Sequence, residues 1–189
     1  MLISLKDVAG TELLVGSDLG QVVYGRLYKL LSGIKPCEPV KISFADVAFI
    51  DATFIRESVS NLIKIMSPAR SICIVHVKDR DQEDNLQYVA NTEVPMTAWL
   101  DNGRCRIFGE LLSNGLQAML EQIGFNGALT TPAAASRTAV SISNASSTLK
   151  RLYDMGYIGR TGSKGETGGI EYTYHAVGYD VQTGLGVSP

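Results

Sequence analysis

The sequence predicts an α/β protein in which a small mixed β-sheet with helices is followed by a unit of helices and a β-hairpin. Over about the first ninety residues, short apolar runs alternate with apolar residues at helical spacing, which is typical of α/β folds. Two short helical patterns joined by a tight turn follow at residues 131–153. A glycine-rich segment at residues 161–169 then separates two strand-like runs, as in a hairpin.

The composition is that of a globular chain. It has 189 residues, 45% of them hydrophobic, and a mean hydropathy of +0.09, so it can bury a core and its length suits two small domains. A net charge of −2 argues against a general nucleic-acid coat or a membrane-surface protein. Because no leader pattern and no apolar run of membrane-spanning length are found, we expect a cytoplasmic protein without a membrane partner.

We divide the chain into four parts. Residues 1–94 are expected to form an α/β domain, residues 95–109 a connecting β-hairpin, residues 110–178 the domain of helices and hairpin, and residues 179–189 a flexible tail. No long linker separates the two domains, so we expect them to be held in a fixed relation. The glycine-rich stretch from Gly178 onward is expected to be loose.

In the first domain, strands are predicted at residues 2–8, 13–15, 40–44 and 71–77, and helices at residues 17–33, 53–66 and 81–91. The second strand is expected to pair with the first across Gly10. The run at residues 71–77, which includes His76, is apolar enough for a strand buried on both faces. Ser17 is the expected N-cap of the first helix.

The connecting hairpin is predicted from alternation at residues 95–108. Met96, Ala98 and Leu100 share one face, a turn follows at residues 101–103, and the second strand returns from Cys105. Trp99 is expected on the opposite face. It is expected to pack either against a neighbouring domain or subunit, or in the core of one domain.

Residues 40–63 read VKISFADVAFIDATFIRESVSNLI, a strand, a loop and the start of a helix. This segment resembles the central part of STAS-type domains, the fold of anti-sigma factor antagonists, and more closely the STAS-like domain of unknown function of bacterial proteins. The matching residues are Phe44, Val47, Ile50, Asp51, Ala52, Thr53 and Phe54. The resemblance covers about the first ninety residues and implies a role in dimerisation, partner binding or sensing.

The same resemblance makes Asp51 and Thr53 candidate regulatory residues. In partner-switching STAS proteins a phosphorylated serine directly follows the aspartate, but this chain has Ala52 there and Thr53 only afterwards. The alternative, which we favour, is that Asp51 and Thr53 mark a capped helix start, because both residue types are preferred there for ordinary hydrogen bonding.

The second domain is predicted to begin with a helix at residues 110–123, which residues 124–127 break. Thr131 is the expected N-cap of the next helix, followed by Pro132 at its first position. The helix at residues 141–153 has an apolar stripe expected to face the core, and Gly156 is its expected left-handed C-terminal cap. The stripe consists of Ile142, Ala145, Leu149 and Leu152.

The other side of the helix at residues 141–153 is polar, with Ser143, Asn144, Ser147, Thr148 and Arg151. Short hydroxyl and amide groups can reach base edges in a major groove, while basic side chains and the helix N-terminus meet phosphates. This face therefore fits DNA.

Residues 129–177 as a whole resemble the winged helix-turn-helix of bacterial transcriptional regulators. The pattern is formed by Ser141, Ser143, Asn144, Ser146, Leu149, Lys150, Arg151, Leu152, Gly156, Ile158 and Arg160, followed by a glycine-rich wing. The resemblance implies double-stranded DNA as partner, and a homodimer would set two such helices about one turn of DNA apart. The implied DNA-binding residues are Ser143, Asn144, Ser147, Thr148, Lys150, Arg151, Arg160 and Lys164.

The charge count supports an alternative, an adaptor or partner-switching protein whose winged module binds protein. From Glu110 onward the sequence carries five cations and six anions, whereas DNA-binding modules usually carry a basic excess. No nucleophile-base pair, paired carboxylates or phosphate loop is recognised, so we expect no catalytic site and no cofactor. Cys37, Cys73, Cys105, His76 and His175 match neither a disulfide framework nor a metal site.

Overall fold

The computed structural model describes residues 1–34, 39–67, 69–100, 105–164 and 168–179. The helices are α1 (Leu5–Ala9), α2 (Ser17–Ser32), α3 (Ala52–Ile55), a π-helical segment (Arg56–Ser60) that continues into α4 (Asn61–Met66), α5 (Arg80–Ala90), α6 (Asn114–Asn126), α7 (Thr131–Thr138) and α8 (Ile142–Asp154). The strands are β1 (Leu2–Ser4), β2 (Leu13–Leu14), β3 (Val40–Ser43), β4 (Phe49–Ile50), β5 (Ile72–Val75), β6 (Met96–Trp99), β7 (Cys105–Phe108), β8 (Ala128–Thr130), β9 (Ile158–Lys164) and β10 (Ile170–Ala176).

Five of the described strands of the first half form a sheet in the order β1-β3-β5-β6-β7, in which only β7 runs antiparallel to its neighbour, and β2 and β4 pair separately. Each parallel strand is added on the same side of the previous one. Because crossovers between parallel strands are right-handed, the connecting helices all lie on one face of the sheet. Their apolar residues pack there on Ile3, Ile42, Ile74 and Ala98. The fold is therefore α/β with a mixed sheet, as the sequence predicts.

Three boundaries in this half differ from the prediction. The first strand ends at Ser4, whose hydroxyl oxygen accepts a 3.2 Å hydrogen bond from the Asp7 amide and caps α1. Gly10, at φ 79°, closes α1 and does not turn a hairpin, and β2 pairs in parallel with β4 and not with β1. Strand β5 stops at Val75, since His76 adopts a φ of 59° that no strand can contain.

Strands β6 and β7 are the two arms of the predicted hairpin, with Met96 opposite Phe108 and Trp99 opposite Cys105. The predicted turn at residues 101–103 lies outside the described residues. Met96 and Ala98 face the helix-covered core, and Trp99 points to the other side, where it is buried. Both strands belong to the five-stranded sheet, because β6 pairs with β5.

The second half contains α6, α7 and α8, which pack on one another, and a three-stranded antiparallel sheet in the order β8-β10-β9. The first strand of this sheet lies between α6 and α7 in the chain, and the other two form a hairpin after α8. The helices and sheet enclose a separate apolar core. It includes Leu116, Met119, Leu120, Ile123, Leu129, Ala134, Ala135, Ala145, Leu149, Leu152, Tyr157, Ile158 and Tyr174.

Boundaries shift in this half as well. Helix α6 starts at Asn114 and not at Glu110, and it continues through Gly124 until Gly127, at φ 75°, ends it. The N-cap of α7 is Thr130, whose hydroxyl oxygen accepts from the Ala133 amide, so Pro132 occupies the second helical position. Strand β9 extends to Lys164, which makes the predicted loop at residues 161–169 shorter by four residues at its start.

A third apolar cluster, of Cys73, Val75, Trp99 and Ala176, joins the uncovered face of the five-stranded sheet to the end of β10. Just beyond that strand, the Gly178 amide donates a 2.8 Å hydrogen bond to Ser71 Oγ. Gly178 is therefore held in place, contrary to the predicted loose tail, and residues 180–189 lie outside the described part. Among the described helices, none combines the length and the apolar character needed to cross a membrane.

Candidate nucleic-acid interface

Helix α8 presents the polar face that the sequence suggests. Ser141 is its N-cap, and the Ser141 hydroxyl oxygen accepts a 3.2 Å hydrogen bond from the Asn144 amide. Ala145, Leu149 and Leu152 follow at three- and four-residue spacing and are fully buried. Burial of this stripe fixes the rotation of the helix, so the opposite side faces solvent.

The solvent side of α8 carries Ser143, Asn144, Ser147 and Arg151, all exposed, whereas Thr148 is half-buried. The Ser147 hydroxyl donates a 3.0 Å hydrogen bond to the Ser143 carbonyl oxygen one turn earlier. Its proton is thus engaged, and its oxygen is left mainly as an acceptor. The Asn144 side-chain amide has no hydrogen bond to a described residue, so both its donor and its acceptor are open to a ligand.

Three candidate cations, Lys150, Arg151 and Lys164, differ in whether an acidic side chain pairs with them. Lys150 Nζ lies 2.8 Å from Asp154 Oδ2 one turn further along α8, and both side chains are mostly exposed. Such exposed pairs contribute only about 0–1 kcal/mol, so a phosphate can compete for the lysine. Arg151 and Lys164 are exposed and make no ion pair within the described part of the chain.

Arg160 has a different environment from the other cations. Its guanidinium carbon lies 4.0 Å from the centre of the Tyr153 ring and 4.4 Å from the centre of the Tyr172 ring. It is therefore stacked between the end of α8 and strand β10. These ring contacts hold the hairpin against α8, and they leave the N–H groups at the edge of the guanidinium uncovered.

The hairpin projects beside α8. Lys164 ends strand β9 opposite Ile170, and residues 165–167, including Gly165, lie outside the described residues. Gly162 lies within β9, where a Cβ atom would come 3.1 Å from Ile170 Cγ2. The glycine therefore lets the Ile170 side chain lie over the paired strand, and Lys164 is the described cation nearest the tip.

The turn between α7 and α8 exposes two apolar residues, Val140 and Ile142, whose exposure is not predicted from the sequence. Ala139 takes the left-handed conformation at φ 54°, and the Val140 amide donates to the Ala135 carbonyl oxygen over 3.1 Å. Val140 and Ile142 are then 38% and 60% exposed. The prediction that Ile142 faces the core is wrong. As the first residue of α8 it lies before the buried stripe, and roughly 55° from its centre at 3.6 residues per turn.

Asp51 is a helix cap with both carboxylate oxygens engaged. Oδ1 accepts a 2.6 Å hydrogen bond from the Phe54 amide at the start of α3, and Oδ2 accepts a 3.0 Å bond from the Gly16 amide before α2. This favours the capping interpretation of the Asp51 position. Thr53 occupies the second position of α3 and is half-buried.

The described cysteines are buried or half-buried thiols, and the two histidines make hydrogen bonds within the fold. Burial raises the pKa of the Cys73 thiol to about 12 and also raises the pKa of Cys105, so neither is an activated nucleophile. His76 Nδ1 lies 2.8 Å from Ser43 Oγ, and His175 lies between Thr161 and the Ala176 carbonyl. No group of three or more metal-ligating side chains occurs among the residues that the structure describes.

Comparisons of the chain with protein-family models, with curated proteins and with solved structures give no match. A function is therefore inferred from the geometry of α8 and its hairpin. This geometry offers hydroxyl and amide groups near the start of a projecting helix, exposed cations further along, and an adjoining hairpin with a lysine at its end.

Proposed function

We propose that residues 110–178 form a winged helix-turn-helix domain that binds double-stranded DNA, and that the protein is a transcriptional regulator. The observation that carries this proposal is the exposed face of α8, with Ser143, Asn144, Ser147 and Arg151 on one side of a helix whose other side is buried. The order of helix, strand, two helices and hairpin supports it, because this order presents α8 and the hairpin side by side.

In this proposal the N-terminal end of α8 enters the major groove, where Ser143, Asn144 and Ser147 reach base edges. Lys150 and Arg151, about two turns further along, contact phosphates, and Lys164 on the wing contacts the neighbouring backbone. Thr148 is half-buried and contributes at the margin of this surface. Arg160 acts by positioning the wing, since its guanidinium is stacked between two tyrosines.

The first half is proposed to be the STAS-like domain, which serves dimerisation, partner binding or sensing. Its matching segment forms β3, β4 and the Asp51-capped start of α3. Leu13 and Phe49 lie opposite each other in the β2-β4 pair and are 56% and 49% exposed. Two adjacent apolar side chains at the surface support a contact with another protein chain, and a homodimer would place two α8 helices on one duplex.

The second candidate is an adaptor whose winged module binds protein. It is favoured by the excess of one acidic residue from Glu110 onward and by the exposed apolar side chains of Val140 and Ile142. Retrieval of partners with the full chain from a bacterial lysate, with and without nuclease, separates the two candidates. Partners that survive nuclease favour the adaptor, and loss of all partners favours DNA binding.

The direct test is a titration of the full chain with a labelled random-sequence duplex across a range of salt concentrations. We expect binding that weakens with salt, and the double variant Arg151→Ala with Lys164→Ala should lower the slope of log affinity against log salt by about 2, or about 1 per lost phosphate contact. The matched control is Arg80→Ala with Lys29→Ala, which removes two exposed cations from α5 and α2. Absence of binding to every duplex at low ionic strength would overturn the proposal.

A further inference from the structure

We infer that the DNA sequence read by α8 contains A·T base pairs, with Val140 and Ile142 packing on thymine methyl groups and Asn144 pairing with adenine. The inference rests on the proposed DNA binding and adds the base preference. It starts from the two apolar side chains that the fold leaves in water.

The exposure of Val140 and Ile142 is a property of the turn that precedes α8. The left-handed Ala139 and the bond from the Val140 amide to the Ala135 carbonyl direct the chain away from the three-helix core. Ile142 then follows directly after the cap residue Ser141, 60% exposed at the N-terminal end of the helix. An aliphatic pair at this end would lose contact with water if it met another apolar group.

In a major groove, the apolar group available at a base edge is the C5-methyl of thymine. In recognition helices of this type, the N-terminal residues are the ones that approach base edges. Ile142 occupies that end of α8 and Val140 lies two residues before it, so the thymine methyl is the complementary partner within DNA.

Asn144 supplies the second half of the preference. Its side chain is exposed, and its backbone amide is held by Ser141 Oγ, which fixes the start of the helix. A free carboxamide of this kind makes a paired hydrogen bond to the N6 and N7 atoms of adenine.

The charges of α8 argue against G·C recognition. Guanine is read mainly by arginine or lysine and cytosine by carboxylates, and the sequence from Thr138 to Leu149 contains no charged residue. The first cation, Lys150, lies about 12 Å further along the axis than Ile142. Ser143 can donate or accept, and Ser147, whose proton is engaged, can accept from adenine or from cytosine, so neither selects a base pair. Ile142, Val140 and Asn144 therefore determine the preference.

The test begins with selection of bound duplexes from a random library by the full chain. We expect enriched sites that contain A·T pairs, and we expect replacement of thymine by deoxyuracil, which removes only the methyl group, to weaken binding about fourfold at each contacted position. In the Ile142→Ala variant the same replacement should have no further effect at the position that Ile142 contacts. Asn144→Ala should reduce discrimination at an adenine by about tenfold.

Ile65→Ala is the matched control, because Ile65 is 62% exposed on α4 in the first half; it should retain the full deoxyuracil effect. Ile142→Val, which keeps an apolar side chain, should retain most of the effect. It is the conservative control in case Ile142→Ala fails to fold. Enriched sites without A·T pairs, or deoxyuracil replacement without effect, would overturn the inference while DNA binding stands. Failure to bind any duplex, or capture of a protein partner through Ile142, would overturn both the inference and the proposed function.

Discussion

Trp99 Nε1 donates a 2.8 Å hydrogen bond to the carbonyl oxygen of Val177, 78 positions later in the chain. The bond joins the five-stranded sheet to the end of the second sheet. The Trp99 ring is 4% exposed and packs with Cys73, Val75 and Ala176. The only tryptophan of the chain thus belongs to the contact between the two halves and not to the core of either one.

Trp99→Phe should lower the free energy of unfolding by about 1–3 kcal/mol. Phenylalanine keeps an aromatic ring in the cluster but leaves the partly buried Val177 carbonyl without its donor. Urea unfolding followed by far-ultraviolet circular dichroism measures the change. Tyr88→Phe, which removes a hydroxyl from an exposed ring on α5, is the control and should be neutral. Equal stability of both variants would show that the bond contributes nothing.

Two glycines of α2 should respond to alanine in opposite ways. At Gly25 a Cβ atom would meet nothing within 4 Å, so Gly25→Ala should stabilise the protein by about 0.5–1 kcal/mol through helix propensity. At Gly20 it would come 2.8 Å from Glu57 Cβ and 3.2 Å from the Phe54 carbonyl oxygen, so Gly20→Ala should destabilise by about 1–3 kcal/mol. Thermal and urea unfolding of the pair test this, and a common sign would contradict the packing of α2 on α3.

Asp51 should show a graded response. Asp51→Ala removes both acceptors, for the Phe54 and Gly16 amides, and should cost about 2–4 kcal/mol of unfolding free energy. Asp51→Asn keeps one acceptor oxygen and should cost about half as much. Thr53→Ala should stay within about 0.5 kcal/mol of the parent protein. If the Asn and Ala variants were equally unstable, only one of the two bonds would matter.

Arg160→Met should separate positioning of the wing from contact with phosphate. Loss of the two ring contacts should cost about 1–2 kcal/mol of stability. We assign Arg160 to holding the wing through its contacts with the Tyr153 and Tyr172 rings, so the salt slope of DNA binding should stay unchanged, whereas Arg151→Ala should lower it by about 1. A slope reduced equally by both variants would place Arg160 on the DNA.

His175 should make stability depend on pH. Burial lowers its pKa below the usual 6.5, so the unfolded chain binds more protons than the folded one between the lowered pKa and 6.5. The free energy of unfolding contributed by this group is therefore fully present above about pH 6.5 and is lost as the pH falls through that window. His175→Gln should flatten this part of the profile, measured by urea unfolding from about pH 7.5 to about pH 5. An identical slope in both proteins would assign the dependence to other groups.

The elements with an unbroken local pattern could be predicted from the sequence. The run around Ile74 is buried as a strand, and Ala145, Leu149 and Leu152 face the core of the second half. In these segments the spacing of apolar residues alone determines which side is buried. The same spacing also predicts the polar face of α8, because that face lies opposite the apolar stripe.

The remaining features depend on residues distant in sequence. Gly10 suits both a turn and a helix C-cap, and only the pairing of β2 with β4, 36 positions on, decides between them. Ile142 fits the apolar spacing of α8, but the core ends one turn short of it. The stacking of Arg160 requires Tyr153 of α8 and Tyr172 of β10 to come close to it, and no local sequence pattern predicts that contact.

The cluster around Trp99 also has a consequence for biosynthesis. At roughly 5–20 residues per second, the ribosome needs about 4–16 seconds to add the chain between Trp99 and Val177. During that interval the helices can cover one face of the nascent sheet, whereas Val75 and Trp99 on the other face are not yet covered by the end of β10. This face is the surface that a nascent-chain chaperone would meet, and a product released before Ala176 would keep it open to aggregation.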